Sequence, residues 1–510
     1  MFKLTYLSEG RKFTVSSGDG NIRVETVKTA GQRTVTVTAL KDVVLCNAEI
    51  LLQYEYAPDC KIMANGYQSW TETREFALGE TLNDLSKLPK ALTERYHFPA
   101  YGSQAFWKNR RKTPVGFDFA YVTGEKPVFF GNLNYRNAYL LIWFEESGGR
   151  ILLQSDIDGR VLRAGESFVV FDYVSGRDGK AYFERFTPRT DRKLFGYTSW
   201  YNHYQNINEK VISEALDAAD ERFELFQIDD GFETYVGDWT DIDSGKFPNG
   251  LGGIVNRIHE KNMLAGIWLS PFVAETKSKL ASEHPDWLAK DSGGNPIYAG
   301  SNWSGFMPLD LNNQEAVEYV RRVLRFYKEL GFDFFKLDFL YAVNLCPLLG
   351  KTRSETAEFA YGILREELAD RLILGCGATL SNGFERFDYC RIGPDVSLSF
   401  DDAFYMKAMH PERVSTKVTI RNTLFRSCLN GHVFLNDPDV FLLRDDNMQM
   451  SPARRKALTK VNALFGSLLM TSDKISEYDE EKKAVLEDAL AIFRRAKRFG
   501  FRNKGRFAVV

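Results

Sequence analysis

Up to about residue 190 the chain alternates apolar and polar positions in short runs. RKFTVSS (11–17), NIRVETVKT (21–29), RTVTVTAL (33–40), AEILLQYEY (48–56), PVFFGNL (127–133), AYLLIWF (138–144), RILLQSD (150–156) and FVVFDYV (168–174) are rich in Thr, Val, Phe and Tyr. SGDGN, ESGGR and DIDGR punctuate them. Period-two alternation in short segments bounded by turn formers predicts antiparallel strands, and this many predict a β-sandwich. An aromatic-rich insertion, roughly 63–115, interrupts the pattern.

From about 191 to 475 the pattern changes. Continuous apolar runs alternate with amphipathic stretches such as 209–223, 314–330 and 353–371, whose apolar positions recur every three or four residues. The runs are FGYTSW, ELFQIDD, LAGIWL, FMPLDL, FDFFKLDF, LILGCG, DYCRIGPD and VFLNDPD. Strands apolar on both faces, each followed by a helix, predict a parallel sheet, and eight such units predict a closed (β/α)8 barrel. An open doubly wound sheet is the alternative, but no GxGxxG follows the first run. Past 475, DEEKKAVLEDALAIFRRAKRF reads as one charged helix, and GRFAVV as a short strand. The predicted fold is multidomain β and α/β: an N-terminal sandwich (1–190), a catalytic barrel (191–475) and a short C-terminal extension (476–510).

In such a barrel the chemistry sits at the C-terminal strand ends. These ends carry Trp200, Asp229 with Asp230, Trp268, Asp310, Asp338, Cys376, Arg391 with Asp395, and Asn436 with Asp437 and Asp439. A single Asp there also serves as a helix cap or turn former; their convergence is what suggests a site. In FFKLDF, Lys336 and Asp338 project to the same side of a strand. A lysine beside Asp338 would keep it ionised, as a nucleophile requires, although a buried ion pair bracing the barrel would look the same. Asp395 follows the Gly393–Pro394 turn. Two carboxylates across one site, one ionised and one protonated, suit glycoside hydrolysis. The Asp229–Asp230 pair suits a ligand with several hydroxyls, or a metal, although no calcium loop or His cluster accompanies it. Trp70, Trp200 and Trp268 are flat surfaces suited to a sugar face and equally common as packing.

Composition narrows the field by exclusion. Formal charge is −2, which gives no reason to expect nucleic acid or a membrane surface as partner. The six cysteines lack CxxC spacing and read as free thiols of a reducing, cytoplasmic compartment. HExxH, GxSxG and phosphate-loop motifs are absent, and no apolar run is long enough to span a bilayer.

NGYQSW (65–70), SWYNHY (199–204), FQIDDG (226–231), GDW with a later FP (237–248), GIWLSPF (266–272), EHPDW (283–287), FFKLDFL (334–340), LGCG (374–377), RIGPD (391–395) and FLNDPD (434–439) together resemble glycoside hydrolase family 36, the bacterial α-galactosidases called melibiases. The resemblance implies a retaining mechanism with Asp338 as nucleophile and Asp395 as acid/base. It places Asp229 and Asp230 on the 4- and 6-hydroxyls of galactose, with Lys336 and Arg391 also touching the sugar. Trp70, Trp200 and Trp268 would wall the pocket, and Cys376 and Gly377 would lie near the 2-hydroxyl, leaving little room for an N-acetyl group. It implies a small α-galactoside as partner, such as melibiose or raffinose, and no metal or organic cofactor. A homo-oligomer is compatible with it. The C-terminal region is shorter than the family's usual β domain. Rival readings are a galactosyl transferase, an α-N-acetylgalactosaminidase and a non-catalytic carbohydrate-binding protein.

Overall fold

The computed structural model describes residues 1–82, 85, 88–107 and 113–496. The N-terminal part is two facing antiparallel sheets of seven strands each. One runs from Arg11–Val15 through Phe2–Ser8, Val43–Gln53, Arg150–Ser155 and Leu140–Glu145 to Val115–Phe117, with Arg160–Leu162 also paired to Val43–Gln53; the other runs from Ile22–Thr29 through Gln32–Ala39, Ser167–Gly176, Val128–Asn132, Phe119–Val122 and Lys61–Ala64 to Arg74–Ala77. All eight runs read from the alternation are strands. Their inward positions, among them Val35, Ile50, Ile142 and Phe171, are buried and pack into one core between the sheets. The strands not anticipated are mostly three or four residues long, too short to show a period.

The second unit is a parallel sheet in the order Leu435–Asp437, Tyr389–Arg391, Leu372–Gly375, Phe334–Leu337, Leu264–Leu269, Leu225–Ile228, Leu194–Thr198, Leu468–Thr471 and Val440–Phe441. Its two edges, Leu435–Asp437 and Val440–Phe441, are successive halves of one strand broken at Pro438–Asp439, where Asp439 takes φ +71°. The sheet therefore closes on itself as an eight-position barrel. Amphipathic helices Glu209–Ala218, Gln314–Glu329 and Arg353–Leu368 occupy the predicted segments, capped by Asn208, Asn313 and a Thr352–Glu355 capping box.

One strand assignment is corrected. FMPLDL is not a barrel strand: Phe306–Pro308 pairs antiparallel with Val273–Glu275 in a separate hairpin. Pro308 lacks the N–H that a central parallel strand must donate, which keeps the segment out of the ladder. The eighth position belongs to Leu468–Thr471, paired with both Leu194–Thr198 and Val440–Phe441. Asp310 accordingly lies away from the strand ends and accepts the Asn312 backbone N–H in a local turn. The charged C-terminal stretch forms helix Glu480–Arg495; the strand expected at 505–510 lies outside the described residues.

One buried side chain is a hub of the joint between sandwich and barrel. Arg426, fully buried behind the sixth strand, donates to Asn65 Oδ1 (2.9 Å) and to the carbonyls of Gly66 (3.3 Å), Gln68 (3.0 Å), Ser69 (2.6 Å) and Ile392 (2.8 Å). Four of these five acceptors belong to the NGYQSW loop. Its planar donor fork matches acceptors spread around one plane, which an ammonium cannot do. Arg426→Met would leave those oxygens unsatisfied in a dry interface. It should cost at least about 3 kcal/mol, seen as a clear fall in the thermal unfolding midpoint; a midpoint unchanged from wild type would show that the loop docks without this arginine.

Candidate active site

The third and fourth barrel strands run in parallel register with Trp268 beside Lys336. Neighbours in register share a face, so both side chains enter the barrel mouth. Two residues on, just past the strand end, Asp338 is held from three sides. Trp268 Nε1 donates to its Oδ2 at 3.1 Å, the Phe339 N–H to its Oδ1 at 2.8 Å, and the Cys376 thiol reaches the same carboxylate. Its backbone is fixed by the Leu269 carbonyl and the Ser270 hydroxyl. Burial pushes the Asp338 carboxyl upward from its ordinary value; the Lys336 charge opposes this and the Asp395 charge adds to it.

Lys336 Nζ pairs with Asp229 Oδ2 at 2.9 Å, rather than directly with Asp338. The same Asp229 oxygen accepts from Gln227 (2.6 Å) and Thr198 (3.2 Å). Burial works against the lysine's charge, but the facing Asp229 carboxylate outweighs it and holds the ammonium form firmly. Lys336 thus acts on Asp338 through its field while anchoring Asp229. Asp230, next along, accepts from Trp303 Nε1 at 2.9 Å and from Gln205. Burial raises its carboxyl, and the buried Glu233 beside it is raised further by burial and by Asp230's charge. The adjacent carboxylates are thus offset by a lysine on one side and by neutral donors on the other.

Arg391 is the hub of a second cluster. Its Nε, Nη1 and Nη2 meet Asp437 (2.9 Å), Asp395 (2.8 Å) and Asp439 (2.9 Å). Asp437 is its register partner on the seventh strand, so the sheet itself sets that pair. Three carboxylates around one guanidinium leave excess negative charge in a buried place. Asp439, under burial and the charges of Asp395 and Asp437 and against the pull of Arg391, is pushed up to about 7. Asp395 keeps one-third of its side chain exposed, and Arg391 is the hydrogen-bond partner of its carboxylate.

Asp338 and Asp395 face one cavity of about 390 Å³. Of the residues expected there, Asp229, Asp230, Lys336, Trp70, Trp200 and Trp268 also line it. Arg391, Cys376 and Gly377 are placed behind the wall: Arg391 is committed to its carboxylates and Cys376 to Asp338. Gly377 adopts φ +56°, and a Cβ there would come within 2.9 Å of the Trp70 ring. Its lack of a side chain lets the sandwich tryptophan close over the mouth. Trp70 packs edge-on against Phe339, and its buried Nε1 has no hydrogen-bond partner among the described residues.

Several lining residues escaped the sequence reading. Trp303 stands in a small-residue loop, SNWSG, with φ +54°, and packs against Trp268 and Phe339. A lone tryptophan among serines and glycine was the available signal. Tyr101 and Phe98 come from the sandwich insertion, while His410, Glu412 and Arg413 come from the long connection after the sixth strand.

The sequence profile of the family described as Melibiase matches residues 185–372. The α-galactosidase 1 of Pediococcus pentosaceus is 29% identical over 209 residues, 37% of this chain and 27% of that protein. An α-galactosidase of Escherichia coli is 32% identical over 149 residues, 28% of this chain and 20% of that protein. The matched stretches are thus about a quarter of those relatives' own lengths. Among solved structures, Geobacillus stearothermophilus AgaA superposes with a TM-score of 0.62 at 13% identity, over 93% of this chain and 67% of its own, a likeness of fold. The α-galactosidase TtGalA of Thermus thermophilus, solved with stachyose, superposes with a TM-score of 0.73 at 26% identity over 96% of this chain and 99% of its own. Over residues 185–372 the chain is similar in sequence to the melibiase family, and as a whole it is similar in structure to α-galactosidases such as TtGalA. Cys376 is fully buried, and burial and the Asp338 charge raise its thiol far above the ordinary range. Iodoacetamide at pH 8 should leave Cys376 of the native protein unmodified by mass spectrometry; rapid labelling would place it on the open cavity wall instead.

Proposed function

We propose that this protein is a retaining α-galactosidase, with Asp338 as nucleophile and Asp395 as acid/base. The observation that carries the reading is the contrast between the two carboxylates facing one cavity. Asp338 is buried, immobilised by indole, thiol and backbone donors, and lies in the field of Lys336. Asp395 sits at the mouth, partly exposed, on a hydrogen bond from Arg391. A nucleophile needs fixed aim; an acid/base must reach both a departing oxygen and an incoming water.

In this reading Asp338 attacks the anomeric carbon while Asp395 gives its proton to the glycosidic oxygen, whose bond to that carbon breaks. The galactosyl ester that results is opened by water, whose proton returns to Asp395, and galactose leaves with its configuration retained. Asp229 and Asp230 receive sugar hydroxyls, with Trp268 and Trp303 walling that part of the cavity. The sandwich belongs to the catalytic unit because it supplies Trp70 and Tyr101 to the cavity. The substrate class is the terminal α-galactoside of small oligosaccharides, as TtGalA was solved with stachyose and with p-nitrophenyl α-galactoside.

The test is a panel of aryl glycosides: α-galactoside, β-galactoside, α-glucoside and α-N-acetylgalactosaminide. Selective cleavage of the first, with the α-anomer as first-formed product by NMR, is expected. A first-formed β-anomer would sink the retaining assignment. Asp395→Ala should slow melibiose far more than nitrophenyl galactoside, whose leaving group departs without a proton; equal slowing would refute its role as acid.

A pH dependence follows from the environment of Asp338. Its raised carboxyl must be ionised to attack, so activity is present above that raised pKa and lost as pH falls through it. The acid limb of kcat/KM should therefore lie above the ordinary Asp value of about 4. Lys336→Met removes the charge that opposes the shift and should move the limb to higher pH. A limb that stays put or moves down would show that Asp338 does not set it.

A further inference from the structure

Besides the two carboxylates and the groups around them, the cavity lining holds a second set of polar and aromatic side chains. The connection after the sixth strand begins at Asp395 and returns to it: the Ser415 N–H donates to the Asp395 carbonyl at 3.1 Å, and Thr419 Oγ1 donates to the Pro394 carbonyl at 2.6 Å. The connection that carries His410 and Glu412 is thus anchored to the Asp395 segment at both ends, and both side chains line the same cavity as Asp395. Both are almost fully buried, at 4% and 9% exposure.

Their hydrogen-bonding capacity is only partly used. His410 Nδ1 lies 3.4 Å from Glu412 Oε2, near enough for charge attraction but without a hydrogen bond. Glu412 Oε1 accepts from Thr71 of the sandwich at 2.9 Å, and its Oε2 is directed to the histidine. A buried donor or acceptor left in this state is costly unless a ligand completes it. The carboxylate approaches the insertion so closely that a Cβ on Gly102 would stand 2.6 Å from Oε1. Phe98 packs on the His410 ring at 4.9 Å between centroids and Tyr101 lies at 6.2 Å, adding apolar faces to the polar pair.

We propose that His410 and Glu412, with Phe98 and Tyr101, form the subsite for the leaving group, and that they select a second neutral sugar by its hydroxyls. The proposal rests on the α-galactosidase reading. His410 Nδ1 is turned to Glu412, but His410 Nε2 and Glu412 Oε2 have no hydrogen-bond partner among the described residues and can take two hydroxyls of one hexose, while the aromatic rings cover an apolar sugar face. An aryl leaving group has no hydroxyls to offer and forgoes these bonds.

The experiment compares melibiose with p-nitrophenyl α-galactoside in the full-length wild type and in Glu412→Gln and His410→Asn. The ratio of kcat/KM for melibiose to that for the aryl substrate should fall about tenfold or more, the worth of one or two hydrogen bonds. Most of the change should appear in KM for melibiose, because the contacts are made to substrate and transition state alike. A general structural defect would lower both substrates together and leave the ratio alone. His410→Asn keeps Glu412 and its Thr71 bond, so it remains informative if Glu412→Gln loosens the domain contact. An active wild type with a ratio unmoved in both variants overturns the subsite alone. A folded wild type that cleaves neither substrate overturns the galactosidase reading and the subsite with it.

Discussion

Everything at the cavity mouth depends on the Arg426 guanidinium being met by backbone oxygens of another domain. A charge buried without carboxylate partners is stable only if its donors are filled. Here they are filled mainly by residues 65–69, so the loop can dock in one way only. Trp70 then stands against Phe339, and Gly377 leaves it the space. Thr71 and Glu72, next in sequence, reach the 396–415 connection through Glu412 and Arg413. The barrel supplies the carboxylates, and the sandwich supplies part of the enclosure that excludes water from them.

The interior charges follow one rule. Each buried carboxylate of the site is matched to a fixed donor, and strand register places several of the groups involved. Trp268 lies beside Lys336, and Arg391 beside Asp437, because parallel strands place equivalent positions side by side. Lys336 and Arg391 thereby hold Asp229 and Asp395 while sending their fields toward Asp338 and Asp439. The two clusters are separate networks joined through space, so a change in one alters the proton affinity of the other without moving an atom.

Much of this was legible in the sequence. Alternation marked eight sandwich strands because each is long enough to show a period. The barrel was legible from apolar runs ending in polar residues, and the carboxylates that line the cavity stood at those ends. Leu468–Thr471 was missed because a short apolar run after helix Pro452–Phe465 reads as more helix. FMPLDL was misread because its burial is that of a barrel strand while its proline forbids the pairing. Pairing between distant groups was not legible at all. Periodicity says that Lys336 faces inward, but only the barrel's curvature decides that Asp229 meets its ammonium. Arg391 looked free to bind substrate because nothing in RIGPD reveals that Asp437 and Asp439 arrive from the next strand. Trp303, His410 and Glu412 sit on long connections, whose course is set by what they pack against.

The broken seventh strand bears on the order in which the molecule comes into being. The barrel's seam runs between Leu435–Asp437, Val440–Phe441 and Leu468–Thr471, the last of the barrel's strands to leave the ribosome. Until they arrive, Arg391 lacks two of its three carboxylates, and Leu194–Thr198 has an open edge. The sandwich, whose strands are all N-terminal, can form its core early. The region that performs the chemistry is therefore completed last, and a chain interrupted before the seam would carry nearly all of its candidate catalytic residues without the arrangement that makes them a site.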